Sequence, residues 1–142
     1  MSPAPDPKAR PALTALLIDP YDTDYQLLHE LFQRFRWTLF TAESPHRALT
    51  CLRRNQVHVV ITSSERPHWN WKRVVEDVRG ITPAPLVVVT SRTADDYLWA
   101  EVLNVGGFDL LARPFDQNEV ERVLTSARLH FDPQSHRAGR VA

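Results

Sequence analysis

Five strand-length runs, apolar or rich in residues typical of strands, alternate along this chain with segments of helical periodicity, and that alternation restricts the fold more than any other feature. The runs occupy residues 13–18, 37–41, 57–61, 86–89 and 108–112. Around them, apolar residues recur at the i, i+3, i+4, i+7 spacing of one helix face. Strict alternation with short connections indicates parallel strands with helices on both faces of the sheet. The sequence therefore predicts a doubly wound α/β fold of five strands and five helices.

Residues that begin helices support this interpretation. Ser44 followed by Pro45 is a typical helix start, because serine caps the first amides and proline fits the first helical position. We expect Asp22 or Thr23 to cap the first helix in the same way. Thr93 is the expected cap of the fourth helix, whose first turn is acidic and so suits the helix dipole.

Composition excludes several classes of protein. The chain has 142 residues, and its 17 basic and 17 acidic side chains cancel, so no bulk attraction to nucleic acid or anionic lipid is expected. The single cysteine, Cys51, rules out an internal disulfide and fits a reducing cytoplasm. No apolar run approaches the roughly 20 residues of a membrane span. The sequence predicts a cytoplasmic protein with no nucleic-acid or membrane partner and no metal-ligand spacing among its histidines.

Three regions are expected along the chain. Residues 1–11 are proline-rich and predict a disordered lead-in, while residues 132–142 are polar and predict a flexible tail. Residues 12–131 form the single folded domain between them. Because so few residues follow the last predicted helix, we expect no DNA-binding helix-turn-helix within this chain.

Polar residues follow three of the apolar runs at the point where each strand is predicted to end. The segments are Leu17-Ile18-Asp19-Pro20, Ile61-Thr62-Ser63-Ser64 and Leu111-Ala112-Arg113-Pro114. In a parallel sheet these carboxyl ends meet at one edge, which is where such folds collect functional residues. A pocket built for magnesium and phosphate would have carboxylates at two of these ends, and here only one end has a carboxylate.

Four segments in the same order resemble the receiver domain of bacterial two-component response regulators, the CheY-like family. They are Leu16-Leu17-Ile18-Asp19, Val59-Val60-Ile61-Thr62 with Pro67 beyond it, Val87-Val88-Val89-Thr90-Ser91, and Gly106-Gly107-Phe108-Asp109-Leu110-Leu111-Ala112-Arg113-Pro114-Phe115. The resemblance spans about Leu13 to Phe131. It implies a flavodoxin-like (βα)5 sheet of strand order 2-1-3-4-5 and a role in two-component or phosphorelay signalling.

The positions that carry phosphoryl chemistry in this family depart from the pattern. Members accept phosphate on an aspartate that ends strand three, beside magnesium held by acids after strand one. In this sequence Asp19 matches the first acid, and Thr90 matches the hydroxyl that contacts the phosphoryl group. Pro20 stands at the second acid, Ser63 at the phosphoacceptor, and Arg113 at the conserved lysine of the family pattern. The resemblance therefore implies a pseudo-receiver: not an enzyme, without a cofactor, and with Mg²⁺ binding weak or lost.

Alternatives for these residues stay open at the level of sequence. Ser63, Thr90 and Arg113 could still sense phosphate or another anion. Ser63 with His68 and Asp19 could form a hydrolytic triad, although the nucleophile elbow Gly-x-Ser-x-Gly is absent. Asp19 is either a leftover metal ligand or the ion-pair partner of Arg113. Glu65 is either solvated or a negative surrogate beside the altered site.

Aromatic and aliphatic residues outside the predicted core suggest an interaction surface. Trp99 lies off the buried stripe of the fourth helix, with Leu103 one turn further on and Leu110 opposite on the fifth strand. Trp69 stands in a loop. Receivers commonly bind partners or dimerise through the face of the fourth helix, fifth strand and fifth helix. The resemblance thus implies a protein partner, a homodimer, or both, through this face.

Overall fold

The computed structural model describes residues 11–18, 20–21, 23–65 and 70–134. Its strands are β1 (Thr14–Ile18), β2 (Thr38–Ala42), β3 (Val59–Ser63), β4 (Leu86–Ser91) and β5 (Asp109–Ala112). Its helices are α1 (Gln26–Phe35), α2 (Pro45–Arg54), α3 (Trp71–Val78), α4 (Asp96–Val105) and α5 (Gln117–His130). A short 3-10 turn, Thr23–Tyr25, precedes α1. The expected lead-in and tail lie outside these residues except at 11 and 132–134.

The sheet is parallel throughout and has the strand order β2-β1-β3-β4-β5. Leu17 on β1 pairs with Ile61 on β3, and Ser63 at the end of β3 pairs with Thr90 on β4. This register brings the carboxyl ends of the central strands side by side, as the fold requires. The predicted doubly wound fold is confirmed.

Two apolar clusters cover the two faces of the sheet. Leu17 packs with residues of α1 and α5 on one face, and its neighbour Leu16 packs with residues of α2, α3 and α4 on the other. Successive side chains of a strand point to opposite faces, so a strand buried on both faces is apolar throughout. That is why the segments of β1, β3 and β4 are nearly continuous apolar runs in the sequence.

The helix starts follow local hydrogen bonding, and two predicted caps are corrected. Ser44 Oγ accepts the amide of Arg47 at 3.2 Å, as predicted. Thr23 is not the cap of α1, because the 3-10 turn places Tyr25 there with no side-chain bond; Asp22 lies outside the described residues.

At α4 the cap is Asp95 instead of Thr93. The Asp95 carboxylate accepts the amide of Leu98 at 2.8 Å. The hydroxyl of Thr93 lies 3.1 Å from the hydroxyl of Ser91, and the Ser91 hydroxyl also accepts the Thr93 amide. Thr93 is therefore part of the turn that leaves β4, and the helix begins after it.

Helices α2, α3 and α4 cover the same face of the sheet, and α4 is the least buried of the three. Of its residues only Val102 is fully buried, whereas Tyr97, Trp99 and Leu103 are exposed. Among the helices that the structure describes, none is both long and apolar enough to cross a membrane.

Candidate functional site

The carboxyl ends of β3, β4 and β5 bring together a cluster of buried polar side chains, which we call the pocket. Ser63 ends β3, and Thr90 lies beside it on β4. Arg113 directly follows β5, and the peptide bond from Arg113 to Pro114 is cis. Ser63, Thr90 and Arg113 are all at most 6% exposed. Arg113 Nη2 donates to Ser63 Oγ at 3.1 Å. The structure thus brings together three of the residues that the sequence assigned to this pocket.

Two further predicted residues stand differently. Pro20 lies in the turn after β1 and is partly exposed. Asp19 lies outside the described residues. The predicted ion pair between Asp19 and Arg113 therefore stays a prediction.

Among the described residues, Glu65 is the carboxylate that lies nearest to Arg113. Its Oε1 lies 2.7 Å from Arg113 Nη2, in an ion pair whose arginine side chain is 3% exposed and whose glutamate side chain is 32% exposed. A buried guanidinium requires such a partner, because leaving its charge unpaired away from water is costly. The Asp24 carboxylate lies further away, at 3.9 Å from Nη1.

Glu65 also connects two loops. The same Oε1 accepts the backbone amide of Arg92 at 2.7 Å, so the segment after β3 is bound to the segment after β4. The Glu65 amide in turn donates to Ser63 Oγ at 3.0 Å. Glu65 is thus partly exposed to solvent, while its carboxylate is bound by Arg113 and by the Arg92 amide.

Sequence reasoning missed the outer layer of this network. Arg92 donates from Nε and Nη2 to Asp24 Oδ2, at 3.3 and 3.0 Å, and so links the start of α1 with the segment before α4. The available signal was positional: Asp24 follows strand one, and Arg92 follows the polar end of strand four. The two residues are nevertheless 68 positions apart, and their contact depends on tertiary packing, which hydrophobic periodicity does not predict.

Tyr25 forms an aromatic wall of the pocket. Its hydroxyl lies 3.4 Å from the Thr90 hydroxyl, and its ring stacks on Phe115 with centroids 5.9 Å apart. The Arg113 guanidinium carbon is 5.6 Å from the ring centroid, within the range of a cation–π contact. Arg113 is thus fixed by an aromatic face, a hydroxyl and a carboxylate together.

The described residues do not fit a magnesium ion. Mg²⁺ requires near-octahedral oxygen ligands, usually with one or two carboxylates. Pro20 offers no side-chain oxygen, and Ser63 Oγ and the Glu65 carboxylate are both bound by Arg113. In the described part of the chain, no three His, Cys, Asp or Glu side chains cluster as metal ligands would.

A hydrolytic triad is not supported by what the structure describes. His68 and Asp19 lie outside the described residues. Ser63 Oγ accepts hydrogen bonds from a guanidinium and from a backbone amide, and neither group can act as a base for a nucleophile.

The predicted interaction residues lie around a groove between α4, β5 and α5. Trp99 is 46% exposed, and its Nε1 donates to Asp109 Oδ1 at 3.1 Å. Leu103 is exposed on the same helix, and Leu110 is buried and lines the groove; Trp69 lies outside the described residues. We call this the acidic groove, and its charged lining residues are Asp95, Asp96, Asp109, Glu119 and Arg122.

Two titratable groups outside the pocket have shifted pKa values. Burial lowers the pKa of His58, and the nearby charge of Arg128 lowers it further. The Nδ1 atom of His58 accepts the Thr14 amide at 2.9 Å, which requires a neutral ring. Burial raises the pKa of Cys51, which agrees with an unreactive thiol.

Comparison with known proteins places this geometry in a known fold. No protein-family model matches the sequence, and no curated protein matches it. Many solved structures, by contrast, are similar to it in fold. This chain has the fold of response regulator receiver domains. At the identities found, that likeness establishes the fold alone.

Three of these structures illustrate the match. A putative response regulator from Chloroflexus aurantiacus has a TM-score of 0.74 at 19% identity, covering 84% of this chain and 100% of that chain. The receiver domain of Ssk1 from Saccharomyces cerevisiae, crystallised with the phosphotransfer protein Ypd1, has a TM-score of 0.72 at 13% identity, covering 89% and 99%. The chemotaxis protein CheY4 from Vibrio cholerae has a TM-score of 0.71 at 18% identity, covering 82% and 99%.

Proposed function

We propose that this chain is a receiver-like signalling module of the two-component type that works without aspartyl phosphorylation and acts by binding protein. It carries out no catalysis of its own and uses no cofactor. One observation carries this proposal: the Arg113–Glu65 ion pair, at 2.7 Å, occupies the pocket in which the family resemblance places the phosphoryl group.

Ser63 lacks the carboxylate that aspartyl phosphorylation requires. Ser63 stands at the phosphoacceptor position, and a serine hydroxyl cannot form the acyl phosphate that an aspartate forms. Its Oγ is moreover held by Arg113 and by the Glu65 amide. Phosphoryl transfer also needs a divalent cation to neutralise charge on the phosphate oxygens, and the described residues do not supply its ligands.

The positive charge of Arg113 is already paired with Glu65. An incoming phosphoryl group would need the cation of Arg113 and a backbone amide as hydrogen-bond donors. Glu65 already accepts a hydrogen bond from Arg113 and another from the Arg92 amide. An internal carboxylate in this place supplies permanently the negative charge that phosphorylation would add. The pocket is thereby held in one state.

Glu65 connects the pocket to an exposed surface through Arg92. The Glu65–Arg92 hydrogen bond fixes the segment that leads into α4, and α4 carries the exposed Trp99 and Leu103. Exposed aromatic residues are enriched where proteins bind one another. We therefore place the protein-binding surface on the α4–β5–α5 face, beside the acidic groove.

Phosphotransfer is the direct test of this function. The purified chain is incubated with Mg²⁺ and acetyl phosphate, or with a histidine kinase autophosphorylated from labelled ATP, and then analysed by intact-mass spectrometry and autoradiography. We expect no phosphorylated species, while a conventional receiver treated in parallel becomes labelled. Label on Ser63, Asp19 or any other residue of the pocket would contradict the proposal. It would favour the alternative in which Ser63, Thr90 and Arg113 sense a phosphoryl group.

A further inference from the structure

Charge is separated between the two edges of the sheet, although the chain as a whole is neutral. Residues 44–56, which contain α2, include three arginines and one histidine and no acidic residue. Residues 93–112, which contain α4 and β5, include four acidic residues and no basic one. Because β2 and β5 are the edge strands, α2 and α4 lie toward opposite ends of the sheet.

The basic charge is concentrated in a second groove, between α2 and the end of β2. We call it the basic groove, and its lining residues are Thr41, His46, Arg47, Thr50, Cys51, Arg54 and Asn55. Arg47 and Arg54 are seven residues apart, so about two helical turns bring both onto one side of α2. Within the described residues neither guanidinium has an ion-pair partner, whereas Arg73, Arg92 and Arg113 all do.

The acidic groove has the complementary chemistry. Four carboxylates line it against one cation, Arg122. Trp99 stands beside them and is 46% exposed, which gives a guanidinium an aromatic surface to stack on. A ligand for this groove should therefore carry arginines.

We propose that the basic groove of one copy binds the acidic groove of a second copy, so that the chain associates head to tail. Arg47 and Arg54 of one copy then face carboxylates such as Asp96 and Glu119 of the next. The two grooves differ and lie toward opposite edges of the sheet. When two copies associate, the acidic groove of the first and the basic groove of the second therefore stay free. Such heterologous contacts build rings or open chains instead of closed dimers.

The alternative pairing, two acidic grooves facing each other around a two-fold axis, places like charges in contact and is disfavoured. The proposal deepens the proposed function, because it rests on the α4–β5–α5 face as the protein-binding surface. It is tested separately from phosphotransfer, so either can fail while the other stands.

The first experiment is sedimentation velocity on the full chain over a concentration series. We expect the sedimentation coefficient to rise with protein concentration at about 0.01 M salt, where charges act over about 30 Å. It should return to the monomer value near about 1 M salt, where they act over only about 3 Å. A monomer at every concentration in low salt would overturn the proposal.

Paired neutralising variants identify the two surfaces. Arg47→Gln with Arg54→Gln, and separately Asp96→Asn with Glu119→Gln, should each sediment as monomers in low salt. Lys72→Gln with Arg73→Gln lowers the net charge by two, as the arginine variant does, but on α3 outside both grooves, and should associate like the wild type. Circular dichroism checks that each variant is folded.

Mixing the two monomeric variants distinguishes head-to-tail from two-fold contact. One variant keeps the acidic groove and the other keeps the basic groove, so a mixture should form a 1:1 complex that does not grow further. Arg122→Gln, which removes the cation from the acidic groove, should strengthen association of the otherwise unchanged chain. Association that survives the arginine variant but not the carboxylate variant would overturn the proposal in favour of a two-fold dimer.

Discussion

The Arg113–Glu65 ion pair predicts a measurable loss of stability when its carboxylate is removed. Removing one member of a fully buried pair costs about 3–5 kcal/mol, because the remaining charge is left without a partner. Glu65 is partly exposed, and Asp24 remains 3.9 Å from Arg113 Nη1. For Glu65→Gln we therefore expect a smaller cost, about 1–3 kcal/mol.

Urea denaturation followed by tryptophan fluorescence measures this cost. With a denaturant slope of about 2 kcal/mol per molar, the midpoint should fall by roughly 0.5–1.5 M with the slope unchanged. Glu43→Gln is the matched control, since Glu43 is an exposed glutamate with no ion pair among the described residues. Its effect should stay within about 0.5 kcal/mol.

A double-mutant cycle isolates the pair itself. Arg113→Met keeps much of the side-chain volume and removes the charge, and combining it with Glu65→Gln should cost less than the sum of the two single changes. We expect a coupling energy of about 1–2 kcal/mol, as found for contacting residues. A coupling near zero, or a Glu65→Gln variant as stable as the Glu43 control, would refute the reasoning that the pocket is held by this pair.

Three further outcomes are expected. Arg92→Ala removes a partly exposed ion pair with Asp24 but leaves the backbone amide bond to Glu65, so urea denaturation should show a loss of about 1 kcal/mol or less. Trp99→Ala should leave the protein folded with a modest fall in the urea midpoint, because about half of the side chain is buried and its indole donates to Asp109, while association in sedimentation velocity weakens. The pKa of His58 is lower in the folded protein than in the unfolded chain. As the pH falls below about 6.5, the unfolded chain therefore binds a proton more readily than the folded protein, and the free energy of unfolding declines. His58→Asn, which keeps an acceptor for the Thr14 amide, should show a shallower decline in urea midpoints between about pH 7 and 5.

The fold could be predicted from the sequence because burial against the sheet determines where apolar residues recur. Strands buried on both faces must be apolar throughout, and helices that cover a sheet must be apolar on one stripe. Ser63, Thr90 and Arg113 were identified as neighbours for the same reason, since strand ends in a parallel sheet converge whatever the loops do.

The partners of these residues could not be predicted in the same way. Glu65, Asp24 and Arg92 lie in connecting segments, where conformation follows from packing and from competition among nearby hydrogen-bond donors and acceptors. The start of α4 shows the same limit: Thr93 and Asp95 are both suitable caps, and the turn that occupies Thr93 decides between them. Charge separation between α2 and α4 was visible in the sequence, but its meaning required knowing that they lie at opposite edges of the sheet.

An amide NMR titration with Mg²⁺, followed by Mg²⁺ with beryllofluoride as a phosphoryl mimic, tests the central claim most directly. We expect a well-dispersed spectrum in which the amides of Ser63, Glu65, Thr90 and Arg113 show no saturable shift with either addition. Saturable shifts at these amides would show that the pocket still binds a phosphoryl group, and the claim that its own carboxylate has replaced that group would be wrong.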